Sequence, residues 1–340
     1  MIAAILDYAA RLSASLLPVV MFLLILMYLD SYKLVRPRLL LAAILVGAFV
    51  TGLCTVLNGW ILEAGSFDVT DFKRYGAPVI EEFFKAAFVV FLIRAKRVGF
   101  MVDAAIVGFA VGAGFAIIEN TYYIQALGQV NIVTWIVRGF GTAIMHGATT
   151  AVFAIISKTL FDRHGRENML VLIPGFLVAC AIHSFYNHFI FSPQVSTIAI
   201  HVALPLTILA VFYHSERSTR RWLGTQMDVD SELLEMINSG RVSETRVGAY
   251  FQTAKNQFPP EMVFDMLCYL RLHVELAISA KGLLLMREAG FEASPPEDVE
   301  AKFAELRHLE GTIGRTGLIA IHPFLHSSSR DLWQLHMLET

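Results

Sequence analysis

The residues in this chain able to do acid–base or metal chemistry at membrane depth are few. They fall into separate groups: Glu81, Glu82 and Lys85; Glu119 and Asn120; His146; His183, Asn187 and His188; and, further along, His201. Carboxylates and imidazoles gathered at one level suit two chemistries. A carboxylate can act as general base on a water, with a His orienting it and an Asn plus a His stabilising an oxyanion. Alternatively, His and Glu can bind Zn²⁺ and lower the pKa of a bound water to about 7. Either hydrolyses a peptide bond. The soluble zinc signature H-E-x-x-H is absent, so a metal site has to be assembled from several helices.

Spacing groups these residues further. Glu81 and Lys85 are four apart and Glu82 and Lys85 three apart, so either acid meets the lysine on a helix surface. His183 with Asn187, and Phe115 with Glu119, repeat the four-residue interval. Asp103 falls at the start of an apolar segment, where a helix N-terminus favours an acid, and is read as structural.

These groups sit in unusually apolar surroundings. The chain of 340 residues is 56% hydrophobic and 16% charged, below the roughly 25% charged residues of soluble domains. A bilayer core of about 30 Å needs roughly 20 apolar residues per helix. Seven segments qualify, at about 14–29, 39–59, 78–94, 101–125, 132–157, 169–191 and 195–213. Backbone groups in lipid must be satisfied internally, so the segments are helices. The expected fold is all-α: a polytopic bundle of about seven transmembrane helices, residues 1–213, followed by a soluble helical domain, residues 214–340. The net charge of −2 points to no nucleic-acid partner, and Cys54, Cys180 and Cys268 are scattered without a disulfide framework.

Alternate loops carry Lys33, Arg36 and Arg38; Arg94, Lys96 and Arg97; Lys158, Arg163 and Arg166; and Arg217, Arg220 and Arg221. The opposite loops carry Arg11, Lys73, Arg74 and Arg138. The positive-inside rule then sets the N-terminus outside and the C-terminal domain in the cytoplasm; the expected membrane is a bacterial inner (plasma) membrane. With that topology the third to sixth spans hold their polar groups at a similar outer level. One shared, wet cavity is therefore expected, because buried charge costs about 3 kcal/mol or more at a helix centre. Tyr122 and Tyr123 fit an interfacial aromatic belt. Gly108, Gly112 and Gly114 fit close helix packing.

In the C-terminal part, Asp230 or Ser231 is expected to cap a short helix. Pro259 and Pro260 precede a helical pattern from Glu261 to about Ala289, ended by Gly290, and Pro295 and Pro296 open another through about Leu309. No phosphate loop or metal-ligand cluster is found there, and a regulating or recruiting role with a cytoplasmic partner is expected.

At the membrane residues the sequence resembles the PrsW family of intramembrane proteases, distant relatives of the CAAX prenyl proteases. Members carry an E-E-x-x-K motif, here Glu81-Glu82-Phe83-Phe84-Lys85. They carry F-x-x-x-E, here Phe115 to Glu119 followed by Asn120, and a His in the next span, matched by His146. An H-x-x-x-N/D-type motif is matched by His183 to Asn187. The four occur in order on separate expected spans, and the resemblance covers about residues 15–213. It implies cleavage of membrane-anchored proteins, known best for site-1 cleavage of anti-sigma factors, by enzymes often labelled metallopeptidases. The related CAAX enzymes carry F-x-x-x-H, and for them a metal-free mechanism is argued. Glu119 stands where they have His, which leaves His146 as the candidate for that part.

The expected function is an intramembrane endopeptidase acting near the extracytoplasmic leaflet on a single-pass membrane protein in the lipid bilayer. Glu81 or Glu82 is the expected base, His146 and His183 the water or metal partners, Asn187 the oxyanion donor, and Glu119 a ligand or orienting group. If a metal such as Zn²⁺ is used, the expected ligands come from Glu82, Glu119, His146 and His183. The competing readings are a proton- or cation-coupled transporter, since buried Glu and His also relay protons, and a membrane signalling scaffold.

Overall fold

The computed structural model describes all residues except 1, 31, 33, 66, 128–129, 165–167, 292, 326–336 and 339–340, so Lys33 and Arg166 of the loop-charge argument lie outside the described residues. The described residues form helices and no strand. Two compact units are present, Met1–Ser215 and Glu216–Thr340.

The first unit contains α1 (Ile2–Leu29), α2 (Pro37–Ala64), the short α3 (Val69–Asp71), α4 (Ala77–Arg94), α5 (Met101–Ala126), the short α6 (Ile132–Val137), α7 (Ile144–His164) and α8 (Ile173–Asn187). The unit boundary falls within α9 (Pro193–Asn238). Two π-helical stretches, Phe72–Gly76 and Arg138–Ala143, run directly into α4 and α7. Among the described residues, six helical segments are long and apolar enough to cross a membrane: Ile5–Leu29, Pro37–Ala64, Met101–Ala126, Ile132–Arg163, Met169–Asn187 and Pro193–Asn238. The protein is thus a multi-pass membrane protein. The expected third span is present as α4, but its 18 residues include Glu81, Glu82, Lys85 and Arg94, which keep it outside that set.

The core is organised on α5, in which every residue from Val102 to Ala116 is buried. A helix apolar all round has to be enclosed by others, and α2 and α7 enclose it. Gly112 makes this contact close: a Cβ there would land on the His146 carbonyl of α7. On the other side, a Cβ at Gly114 would meet the Ile44 carbonyl of α2, and one at Gly47 the Val111 carbonyl of α5. Backbone-to-backbone approach of this kind is what small residues permit in membrane bundles. Asp103 starts α5 as expected: its Oδ2 accepts from the Gly99 and Phe100 amides, both at 3.0 Å.

The second unit contains the C-terminal part of α9 with α10 (Arg246–Ala254), α11 (Pro260–Glu288) and α12 (Val299–Ile321). Pro260 sits in the first turn of α11, and Gly290, at φ 83°, follows its end as the sequence predicts. Two expectations are corrected. Asp230 does not cap a short helix; it lies inside α9, where no proline interrupts the chain between 206 and 238, and its carboxylate is buried against the Lys281 ammonium of α11. The last helix does not stop near Leu309 but continues to Ile321 through a kink at Gly314, whose φ of 65° a glycine tolerates.

Candidate active site

Glu81 and Glu82 are carried on the first turns of α4. The chain enters that helix through α3, which Asp68 caps by accepting from the Thr70 amide at 2.8 Å and the Asp71 amide at 3.0 Å. The Asp71 amide, then that of Thr70, hold the Asp68 carboxyl below its ordinary value. The π-helical turn 72–76 follows, then Pro78 inside the first turn of α4.

Adjacent residues on a helix point about 100° apart, and here that separates the two acids. Glu82 turns inward and is 1% exposed. Its Oε1 accepts from Lys85 Nζ at 2.6 Å and Thr149 Oγ1 at 3.1 Å, and lies 2.8 Å from His183 Nδ1. A carboxylate so placed can only accept, so Nδ1 carries the hydrogen and His183 Nε2 is left with its lone pair. Nε2 is 3.8 Å from Glu81 Oε2. That oxygen is buried and has no hydrogen-bond partner among the described residues.

His146 lies across from this pair. Its ring centroid is 4.8 Å from that of His183, the rings perpendicular. Lys85 Nζ, fully buried, lies 3.3 Å from His146 Nδ1 and 4.8 Å from the centre of the Phe115 ring. An ammonium has no lone pair, so Nδ1 accepts, and Nε2–H faces Glu119 Oε2 at 3.3 Å. Glu119 also accepts from Arg138 at 3.1 Å, while Arg138 Nε donates to Asn120 Oδ1 at 3.0 Å and its guanidinium stacks 4.0 Å from the Tyr123 ring. Four helices, α4, α5, α7 and α8, together with the π-helical turn before α7, supply these groups.

Of the six expected site residues, Glu81, Glu119, His146, His183 and Asn187 line one cavity of about 330 Å³; Glu82 lies behind its wall. Asn187 is at the rim, where its Nδ2 donates to the Lys73 carbonyl at 3.0 Å. His188 and His201 bond the carbonyls of Ser184 and Thr197 on their own helices. Sequence reasoning counted Arg138 only as a loop charge and did not single out Thr149. An Arg eight residues ahead of His146 in one apolar span, and a Thr one turn after it, were the available signals.

The donor set fits a metal. Ligand atoms of Glu81, His146 and His183 lie within 4.8 Å of one another, a His₂–carboxylate set of the kind catalytic zinc uses. The orphaned Glu81 oxygen and the free His183 Nε2, braced from behind by Glu82, both suit a cation. The set differs from the expected one in taking Glu81, because Glu82 is turned away and occupied, and in leaving out Glu119.

No curated protein and no solved structure matches the chain. Residues 35–213 match the PrsW family of intramembrane metalloproteases. The match spans every group of the cavity and makes the hydrolytic reading the favoured one over a transporter or a scaffold. With the match covering more than half the sequence and the motif residues converging on one cavity, the chain belongs to the PrsW family of intramembrane metalloproteases, and is a peptidase.

Proposed function

We propose that the protein hydrolyses a peptide bond of a single-pass membrane protein near the extracytoplasmic leaflet, with Glu81 as the general base. The observation that carries this is the Glu81 carboxylate itself. Its Oε2 is buried and without a hydrogen-bond partner among the described residues, 3.8 Å from a His183 nitrogen that has a free lone pair, on a cavity large enough for a short piece of polypeptide. A carboxylate costs free energy in such a place unless it takes up a proton or a cation. Taking a proton from water is the reaction a hydrolase needs.

In this reading Glu81 accepts a proton from the attacking water and passes it to the leaving amine. His183 positions that water through Nε2, held in its tautomer by Glu82. The Arg138 guanidinium would stabilise negative charge on the carbonyl oxygen, with Asn187 contributing at the rim. Glu119 orients His146 and Arg138. Where a metal such as Zn²⁺ is used, Glu81, His146 and His183 would hold it, and it would polarise the carbonyl and acidify the water in place of a free carboxylate base. The topology expected from the loop charges puts the cavity toward the outside and residues 214–340 in the cytoplasm as a regulatory or recruiting domain. An anti-sigma-factor-type substrate fits that arrangement by family likeness.

The test compares membrane proteomes of cells carrying the wild type and Glu81→Gln. Uncut single-pass proteins should accumulate in the variant. Purified protein that cleaves no membrane protein present in those cells, yet moves ions across liposomes, overturns the proposal.

A further inference from the structure

The site cavity has a second chamber. A cavity of about 570 Å³ runs along α2 from Thr51 to Leu62, closed on its other side by α5. It shares Lys73, Ala77, Glu81, Glu119 and Tyr123 with the site cavity, so the two meet at the carboxylate pair. Eleven residues of helix span roughly 17 Å at 1.5 Å each, the length of about five residues of extended chain.

The α2 wall is built unlike a lipid-facing surface. It presents Thr55 and Asn58, and the buried Oδ1 of Asn58 has no hydrogen-bond partner among the described residues. Gly52 and Gly59 flank these, seven residues apart and thus on one face. Glycine weakens a helix interior relative to alanine, and packing explains Gly47 of the same helix, whose Cβ would strike α5. Packing does not explain Gly52 and Gly59: a Cβ at either would meet nothing within 4 Å. The fold does not need them small. An occupant of the chamber would.

We propose that this chamber is the substrate groove. It holds about five residues of the membrane protein, unwound into an extended strand beside the scissile bond, with small side chains over Gly52 and Gly59 and a backbone N–H donated to Asn58. An extended strand has the unpaired N–H groups that Asn58 lacks a partner for; an acyl chain has none. The strand emerges between Glu81 and Glu119, which delivers its carbonyl to the site. The inference rests on the peptidase reading and adds the residues that select its substrate.

The probe is detergent-solubilised total membrane protein from the source cells, offered to the purified full chain in liposomes. Cuts are read as new N-termini by mass spectrometry, with Glu81→Gln as baseline. Gly52→Leu and Gly59→Leu fill the groove without touching the fold. Each should lower the rate of cutting at least tenfold, shift the surviving cuts toward smaller residues on one side of the bond, and leave the melting temperature in place. Val56→Leu, on an exposed position of α2 outside the groove, should behave as wild type. If the leucine variants do not fold, Gly52→Ala and Asn58→Leu should show the same shift in cut preference. Unchanged sites, rates and preferences in folded groove variants overturn the proposal. So does displacement of bound phospholipid by Gly52→Leu with the cut pattern intact, which would make the chamber a lipid site. A wild type with no more new N-termini than Glu81→Gln is a different failure: it removes the peptidase reading, and this inference with it.

Discussion

Glu82 Oε1 lies 2.8 Å from His183 Nδ1, and the same oxygen takes hydrogen bonds from Lys85 and Thr149. Three contacts on this one oxygen anchor the Glu82 carboxylate outside the cavity, whereas Glu81 lines it with an oxygen that has no partner among the described residues. Glu82→Gln should therefore lower kcat roughly 10- to 100-fold by loosening His183, the usual effect of losing an outer-shell partner. Glu81→Gln should reduce turnover to the level of His183→Ala. Single-turnover rates on a cut substrate check the ranking; the reverse order makes Glu82 the reacting group.

Lys85 is enclosed completely, and its charge is balanced by Glu82 at 2.6 Å. Removing one member of a buried pair strands the other, at a cost of about 3–5 kcal/mol. Lys85→Met should lower the melting temperature in detergent markedly. The double variant Glu82→Gln, Lys85→Met should regain most of that stability without regaining activity, because His183 has lost the carboxylate and His146 the ammonium that set their tautomers. A double variant no more stable than the single one would mean that the pair contributes little.

Much of this arrangement is legible in the sequence. Buried charge is scarce enough that Glu81, Glu82, Glu119, His146 and His183 announce themselves against an apolar background, and Asp103, Pro260 and Gly290 mark helix ends by local chemistry. What is not legible is orientation. Both acids of the E-E-x-x-K motif reach Lys85 by spacing alone, and the turn that sends Glu82 inward is set by the π-helical entry at Phe72–Gly76, which leaves no periodic signal. Arg138 sits in the second such stretch and was hidden for the same reason. Asp230 illustrates the converse: a good capping residue by type, it is taken by a partner 51 positions away.

Arg138 ties Glu119, Asn120 and Tyr123 together with separate atoms of one fork. Lysine keeps the charge but cannot make the bridge. Arg138→Lys should lower kcat/KM about tenfold and Arg138→Ala about 100-fold, mainly through kcat, if the guanidinium steadies charge that develops during the reaction. An effect confined to KM would assign Arg138 to substrate binding alone.

Asp68 controls the entry to α3 through two backbone amides. Its folded-state pKa is depressed below 3.8, so its stabilising effect is present above that value and is lost as pH falls through the folded-state pKa. Hydrogen exchange at the Thr70 and Asp71 amides, corrected for intrinsic rates, should quicken as pH falls below 3.8. Asp68→Asn should show no such step. A wild-type profile without the step would remove the charged cap as what holds this turn.

Glu81, His146 and His183 form the one group of potential ligands among the described membrane-unit residues, and Glu119 stands outside it although it contacts His146. Metal analysis of the purified protein should find one equivalent of a transition metal, lost in Glu81→Gln, His146→Ala and His183→Ala and retained in Glu119→Gln. A chelator should lower peptidase activity at least 100-fold, and Zn²⁺ should restore it. Lys85 sharpens the test, because its ammonium occupies the His146 Nδ1 lone pair at 3.3 Å. Bound metal must therefore reach His146 through Nε2 after a change of tautomer, or displace Lys85, and either raises the cost of binding. Lys85→Met should accordingly bind metal more tightly than wild type, provided that it folds. Full activity in metal-free protein that resists chelation would instead leave Glu81, His183 and His146 to activate water unaided, with Lys85 holding His146 in the tautomer that donates to Glu119.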